Sequence, residues 1–238
     1  MSLPPEIVDH IIDFIDDHWT LRACSLVAKG WIARSRTLLF HEIILFSHRR
    51  WSKIIPVGNT SPARYTRTLT LAQGPTSRGR WINTDNLCSF LAHLEDFKNV
   101  EKLILDGWVP SEVSESGLKN SFGHFGKSLR SLELSGEEMT PDSFLVLLGL
   151  LPKLEDLSLK GRVGGRFKTN RVLAITPKLS GRLMIRAYTT HIFPTICQLP
   201  LRFREIYLHE HDHDYQELIN ACAKTLVDFR AMSPDCSE

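Results

Sequence analysis

The hexapeptide Val100-Glu-Lys-Leu103-Ile-Leu105 carries a pattern that returns along most of this chain. An apolar residue, two variable residues and then apolar-x-apolar occur again at 129–134, at 154–159 and, with conservative changes, at 203–208. Weaker copies that keep two of the apolar positions are Leu69/Leu71, Leu183/Ile185 and Leu226/Phe229. Such self-similarity is the sequence signature of repeat architectures.

The spacing of the copies and the segments between them predict the fold class. The central apolar residues lie at positions 69, 103, 132, 157, 183, 206 and 229, so that the gaps run from 23 to 34 residues. Leucine-rich repeats have periods of about 20–29 residues. Helical patterns occur between copies at 86–97, 141–151, 191–199 and 215–226, although Pro194 limits the third. The chain therefore predicts an α/β solenoid with a parallel sheet, whose units resemble irregular leucine-rich repeats without the regular Asn position.

A doubly wound α/β domain with coincidental Leu spacing is the alternative fold. No Gly-rich phosphate-binding loop follows any of the predicted strands, which weakens that alternative. We assign residues 1–45 to an N-terminal helical module, 46–80 to a junction with a degenerate first repeat, and 81–238 to the solenoid. The last unit, 226–231, has no helical pattern after it, so we expect the C-terminal end to be the least stable part.

One face of the predicted sheet is a candidate recognition surface. In each strand the Leu residues point into the core, so the residues between them point outward, and neighbouring repeats bring them about 5 Å apart. Asp156, Arg182 and Glu205 alternate in sign along one such row, which favours this register. The predicted substrate-binding residues are Lys102, Glu133, Asp156, Lys160, Arg182, Met184, Arg186 and Tyr207. The alternative is that these side chains are only solvated and that binding uses the loops.

Two clusters of titratable residues stand out. Eight Lys and Arg residues and no Asp or Glu occur from Lys160 to Arg186, which is either a solvated loop and edge or an anion site for an acidic or phosphorylated peptide. Only Phe167 interrupts this run, so it lacks the aromatic residues that single-stranded nucleic acids stack on. The second cluster, His209–Asp214, alternates His with Glu and Asp. We interpret it as a surface turn, because residues two apart rarely converge on a metal in a loop and no Cys accompanies them.

The first 45 residues have more apolar surface than a short helical segment needs. Pro4 and Pro5 suit a helix start, and apolar residues at 7, 8, 11, 12, 14 and 15 form a stripe wider than one amphipathic contact. We expect a second helix with Thr20 as N-cap and a break at Gly30. About 40 residues rarely bury enough surface to fold alone, so this segment must pack on the rest of the chain, on a partner, or on both.

The order of residues in this segment closely resembles the F-box, and its fungal members in particular. The pattern is Leu3-Pro4-x-Glu6-Ile7, apolar pairs at 7/8 and 11/12, and Val27-x-Lys29-x-Trp31, with Ala28 where Cys is frequent and a linker at 16–19 about one residue longer than in some members. The resemblance covers residues 3–41. It implies binding to the Skp adaptor of SCF-type cullin–RING ubiquitin ligases. The residues expected to bury against the adaptor are Leu3, Pro4, Ile7, Ile11, Leu21, Leu26, Val27 and Trp31.

Composition and motifs exclude several function classes. The chain has 238 residues, 42% hydrophobic, and a net charge of +2, so it is neither disordered nor a strong nucleic-acid binder by charge. It has no run of about 18 apolar residues that would span a membrane and no secretory signal pattern. Five cysteines without a Cys-x-x-Cys spacing indicate reduced thiols in a cytoplasmic or nuclear protein. The nucleophile-elbow, zinc-protease and phosphate-loop motifs are absent, so we expect no enzyme, no cofactor and no metal.

These inferences combine into a hypothesis of function. The resemblance implies a substrate-recognition subunit that binds the Skp adaptor through the N-terminal module and a protein substrate through the repeats. The alternative is a repeat-based interaction scaffold outside the ubiquitin system, whose N-terminal helices only cap the solenoid.

Overall fold

The computed structural model describes residues 3–45, 61–72, 91, 94–107, 114–135, 141–160, 179–186, 196–197, 199, 201–209 and 215–231. Several sequence predictions fall outside these residues. They are the basic loop 161–178, most of the helical patterns at 86–97 and 191–199, the His alternation after His209, Cys88 and Cys236. The helices of the described part are α1 Pro5–Asp13, α2 His18–Val27, α3 Lys29–Leu39, α4 Glu115–Phe122, α5 Pro141–Leu150 and α6 Gln216–Cys222. Two short 3₁₀ helices span Pro62–Tyr65 and Gly123–Lys127.

The strands form a single parallel sheet of eight strands in chain order. They are β1 Glu42–Leu45, β2 Thr68–Leu71, β3 Lys102–Asp106, β4 Ser131–Ser135, β5 Asp156–Leu159, β6 Arg182–Ile185, β7 Glu205–Leu208 and β8 Asp228–Ala231. Each strand from β2 to β7 pairs with the strand before it and the strand after it, and β1 and β8 form the edges. This confirms the predicted α/β class and the parallel sheet, and a sheet in strict chain order is consistent with a solenoid rather than with the crossed-over order of a doubly wound domain.

The units of β2–β7 contribute corresponding apolar strand positions to one continuous core. In the unit that ends in β3, the buried side chains are Leu91, Leu94, Phe97, Val100, Leu103 and Leu105. The unit of β5 repeats the spacing with Leu148, Leu151, Leu154, Leu157 and Leu159. In both units the backbone N–H of a buried residue donates to the carbonyl of the buried residue three positions earlier. Phe97 donates to Leu94 at 2.9 Å, and Leu154 donates to Leu151 at 3.0 Å. The period of three lets successive turns place one large side chain each into the core.

A repeated backbone arrangement starts the strands. The carbonyl of Arg67 accepts the N–H groups of Glu101 and Lys102 at 2.8 and 2.9 Å, and the carbonyl of Glu101 accepts those of Arg130 and Ser131 at the same distances. The same double acceptance occurs at the starts of β2, β5, β7 and β8. It fixes the register between neighbouring strands before the regular ladder begins.

The N-terminal helices have a small core of their own. Val8 and Ile12 of α1 pack with Leu21 of α2 and Leu39 of α3, and Trp31 lies against them. This cluster is distinct from the core under the sheet. The chain leaves α3 and enters β1 almost at once, and the carbonyl of His41 accepts the N–H groups of Arg67 and Thr68 at 2.9 Å.

Two local predictions about these helices are wrong. Thr20 is not the N-cap of α2, because the helix begins at His18 and the Asp17 carboxylate accepts the Thr20 N–H at 2.7 Å. Gly30 does not end α2 either. The break lies at Ala28, whose backbone is extended (φ −151°, ψ 150°), and Gly30 lies inside α3. Asp17 is the better cap because its charged oxygen also accepts the Thr20 hydroxyl at 2.7 Å.

Two elements were not expected from the sequence. Strand β1 lies inside the segment 1–45 that we assign to the helical module, and helix α4 follows β3 without a marked apolar stripe. Ser114 caps α4, its hydroxyl accepting the Gly117 N–H at 3.1 Å.

Candidate functional site

Helix α1 has two apolar faces, and one of them is open. Val8 and Ile12 face the small core of the module. The other face is formed by Ile7, Ile11 and Phe14, whose intervals of four and three residues place them in one line along the helix, and Leu3 lies before its start, ahead of the N-cap Pro4. Its exposed fractions are Leu3 57%, Ile7 48%, Ile11 44% and Phe14 75%. We call these four residues the apolar helix face; side chains of this kind normally seek burial.

Helix α2 adds further exposed apolar side chains. Leu26 is 86% exposed and Val27 66%, both at the C-terminal end of the helix, and Trp19 is 75% exposed near its start. The Arg22 guanidinium carbon lies 5.3 Å from the Trp19 ring centroid. The buried side chains of α2 are only Leu21 and Cys24. Most of its apolar surface is therefore available to a partner.

The structure separates the predicted adaptor-binding residues into three groups. Leu3, Pro4, Ile7, Ile11, Leu26 and Val27 are exposed. Trp31 is half-buried against the module core. Leu21 is only 4% exposed and lies within that core, so it supports the helices from inside rather than offering a contact.

Phe14 and Trp19 are also exposed apolar side chains of this module, but they are not among the predicted adaptor-binding residues. Phe14 lies three residues after Ile11 and seven after Ile7, so the helical period placed it on the same face. Helical period is therefore the signal that identifies Phe14, which is not one of the F-box motif positions.

Ion pairing holds the helices of the module in place. Arg34 of α3 donates from Nε to the Asp13 carboxylate at the end of α1, at 2.5 Å. This hydrogen bond lowers the pKa of Asp13 below its ordinary value. Hydrogen bonds from Thr20 lower the pKa of Asp17 in the same way. Both carboxylates are thus charged at neutral pH, so they fix α1 against α3 and the start of α2.

The outward residues of the sheet stack in the predicted rows. Lys102 pairs in register with Ser131, and Ser131 with Asp156. Arg182 pairs with Glu205, and Glu205 with Asp228. The next row runs in register through Ile104, Glu133, Ser158, Met184, Tyr207 and Arg230. The apolar positions between the rows are buried in β2–β7, which confirms that alternate residues of these strands face in opposite directions, whereas in β8 the corresponding Phe229 is 38% exposed. We call the outward side chains of β1–β8 the outward sheet face.

A cluster around Tyr207 is the most organised part of this face. The guanidinium carbons of Arg182 and Arg230 lie 5.6 and 5.5 Å from the Tyr207 ring centroid. Arg182 Nε donates to Glu205 at 2.8 Å, and an Arg230 terminal nitrogen lies 2.9 Å from Asp228. The Tyr207 hydroxyl donates to Glu205 at 3.3 Å. The ring is thereby held between two cations of neighbouring strands, a geometry in which cation–π attraction favours a fixed orientation.

The charges in the cluster shift the pKa values of its members. The hydrogen bond from Arg182 lowers the pKa of Glu205, and the same bond raises the pKa of Arg182. Desolvation, helped by the Glu205 charge, raises the pKa of Tyr207. The two arginines and Glu205 remain ionised and the phenol neutral at physiological pH.

The remaining predicted substrate-binding residues differ in how they are partnered. Lys160 forms an ion pair with Glu133 across neighbouring strands. The Asp156 carboxylate accepts the backbone N–H of Arg182 at 2.6 Å but pairs with no cationic side chain of the described residues. Lys102 and Met184 are half-buried. Arg186 is exposed and forms no ion pair with any described residue.

Arg186 has a histidine as its neighbour on the next strand. The Arg186 N–H bonds to the Leu159 carbonyl and the His209 N–H to the Ile185 carbonyl, at 2.8 and 3.0 Å, so the ladder continues through both residues. Burial lowers the pKa of His209, and the charge of Arg186 lowers it further. Its Nε2 is buried and has no hydrogen-bond partner among the described residues. The imidazole is therefore neutral at physiological pH and leaves Arg186 as the cation of this position.

The described part of the chain holds no group of three or more His, Cys, Asp or Glu side chains placed to bind a metal ion. None of the described helices has both the length and the apolar character needed to cross a bilayer.

The comparisons with known proteins give no family. The chain matches no protein-family model, and a search of the curated proteins finds no similar sequence. The likeness of residues 3–41 to the F-box stays a prediction carried by the residues themselves.

Proposed function

We propose that this protein is a substrate-recognition subunit of an SCF-type cullin–RING ubiquitin ligase. In this proposal the N-terminal module binds the Skp adaptor, and the units that resemble leucine-rich repeats bind a protein substrate. The bound substrate is thereby held near the ligase, so this chain supplies proximity rather than chemistry.

The observation that carries the proposal is the apolar helix face. Leu3, Ile7 and Ile11 occupy positions of the F-box pattern, and all three are more than 40% exposed although they are large and apolar. A line of such side chains on a helix marks an interaction surface, because water contact there costs about 25 cal/mol per Å² of apolar area. The F-box resemblance supplies the partner that would cover it.

The second support is that the module packs around its own core. The buried cluster of Val8, Ile12, Leu21 and Leu39 turns one side of α1 inward and leaves the opposite side to a partner. A helix that only capped the solenoid would turn its apolar surface toward the repeats. Here the apolar residues of α1 are divided between the module core and solvent.

Co-expression with the Skp adaptor tests the proposal. The tagged chain should co-purify the adaptor in equal amount, and the double substitution Leu3→Ala/Pro4→Ala should weaken that recovery. Val227→Ala is the matched control, because Val227 is 82% exposed and precedes β8 at the far end of the sheet. Absence of the adaptor from the purified wild-type chain, or equal recovery with both variants, would overturn the proposal.

A further inference from the structure

Over β5 and β6, the outward charges that form no ion pair with a described residue lie at opposite ends of the strands. Near the strand starts, Arg182 is paired with Glu205 and Arg230 with Asp228, so Asp156 acts on Arg182 through its charge but forms no ion pair with a described residue. Near the strand ends, Lys160 is paired with Glu133, and Arg186 forms no ion pair within the described part of the chain. The outward sheet face over β5 and β6 is thus negative at one end and positive at the other.

The residue between these two positions is apolar and adaptable. Met184 lies midway between Arg182 and Arg186 on β6, is half-buried, and pairs in register with Ser158 on one side and Tyr207 on the other. Methionine fits varied apolar shapes because it is unbranched and polarisable. The Tyr207 ring beside it is already held by two arginines, so contact with a partner costs little further side-chain entropy.

The length of this arrangement matches an extended peptide. Positions four apart along a strand are separated by about 14 Å, and the side chains at alternate positions of an extended chain point to the same side. A peptide lying along β6 therefore presents residues i, i+2 and i+4 to the sheet, over the same span that separates Arg182 from Arg186.

We infer that this region binds an extended peptide segment of the protein substrate in which a basic, an apolar and an acidic residue occupy alternate positions. The basic side chain pairs with Asp156, the apolar side chain contacts Met184 and Tyr207, and the acidic side chain pairs with Arg186. The inference rests on the proposed role of the sheet as the substrate-binding part of a receptor. The inference specifies which residue types the substrate segment carries, whereas the proposed role alone does not.

Fluorescence anisotropy with the full chain and labelled synthetic peptides tests the inference. A peptide with the core Lys-Ser-Leu-Ser-Glu should bind at least about tenfold more tightly than one with the core Lys-Ser-Leu-Ser-Ser-Glu, whose acid points away from the sheet. Arg186→Glu should weaken binding of the first peptide by about tenfold, and the core Lys-Ser-Leu-Ser-Lys should restore it in that variant.

Arg202→Glu is the control, because Arg202 is also exposed, makes no ion pair with a described residue, and lies before β7 away from the strand ends. It should leave peptide binding unchanged. Equal binding of the two spacings, no binding of either, or equal loss with Arg202→Glu overturns the inference. Adaptor binding measured on the same preparations separates this outcome from failure of the proposed function, since the adaptor contacts α1 and the peptide contacts the sheet.

Discussion

Arg182 and Glu205, on neighbouring strands of the sheet, share a hydrogen bond of 2.8 Å between Nε and a carboxylate oxygen. Because this bond lowers the pKa of Glu205, replacing Arg182 by Gln should return the Glu205 pKa toward its ordinary value. Carboxyl carbon shifts followed by NMR through an acid titration measure the change. Arg202→Gln is the control and should leave the Glu205 titration where it is.

The same pair predicts a pH dependence of stability. A carboxyl group with a lowered folded pKa stabilises the protein above its unfolded pKa and loses that contribution as the pH falls through the folded pKa. The wild-type chain should therefore lose more stability than Arg182→Gln as the pH drops below the ordinary glutamate range. Denaturation curves at a series of acidic pH values check this. An equal loss in both proteins would contradict the ion pair.

The strand alternation predicts opposite outcomes for adjacent residues of β4. Leu132 is fully buried and Ser131 faces outward. Leu132→Ala should cost roughly 2–5 kcal/mol of unfolding free energy, because it leaves a cavity in the core. Ser131→Ala should change stability by less than about 0.5 kcal/mol. Urea unfolding of both variants measures the difference, and similar losses would contradict the assigned register.

Two glycines in the 3₁₀ helix after α4 give a matched comparison. A Cβ on Gly126 would lie 2.5 Å from the backbone oxygen of Leu150, whereas one on Gly123 would meet nothing within 4 Å. Gly126→Ala should therefore lower the unfolding free energy by roughly 1–3 kcal/mol, since backbone must move. Gly123→Ala should raise it by about 0.4–1 kcal/mol, because Gly123 has helical backbone angles that Ala adopts freely. Thermal unfolding of the pair checks both signs.

Deletion of the helices distinguishes a docking module from a cap. Removing residues 1–40 takes away α1–α3 but keeps β1, and the sheet core should stay folded because the module packs around separate residues. Removing residues 1–45 also deletes β1, which exposes the edge of β2 and should lower the melting temperature. Circular dichroism and melting curves compare the two. Unfolding of the shorter deletion would favour the cap alternative.

The repeat pattern predicted the sheet well because each strand carries its own signal. The spacing of Leu103, Leu132 and Leu157 follows from the repeat of buried positions, and the alternation of side chains then determines the rows. The Arg182–Glu205 pair could be anticipated from opposite charges in register. The stacking of two guanidinium groups on Tyr207 could not, because it depends on side-chain conformations that no spacing specifies.

The helical module was harder to predict because its signals compete. Thr20 and Asp17 are both good N-caps, and the two hydrogen bonds from Thr20 to the Asp17 carboxylate are what favour Asp17. Leu21 and Leu26 look alike in the sequence, yet one is 4% and the other 86% exposed. Helical period alone cannot say which apolar stripe faces the core when a helix has two. Strand β1 carries the repeat's spacing in Phe40-x-x-Ile43-x-Leu45, and Ile43 pairs in register with Leu69. It follows α3 directly, so the helical pattern before it assigns the whole segment 1–45 to the helical module.

Titration calorimetry of the purified chain with the Skp adaptor measures the role assigned to the apolar helix face. We predict saturable binding with a negative heat-capacity change from apolar burial. The double substitution Ile7→Asp/Ile11→Asp should weaken the affinity by at least about thirtyfold, and Val227→Asp should leave it unchanged. Undiminished affinity of the Ile7→Asp/Ile11→Asp variant, or the absence of wild-type binding, would contradict the proposal that this face docks on the adaptor.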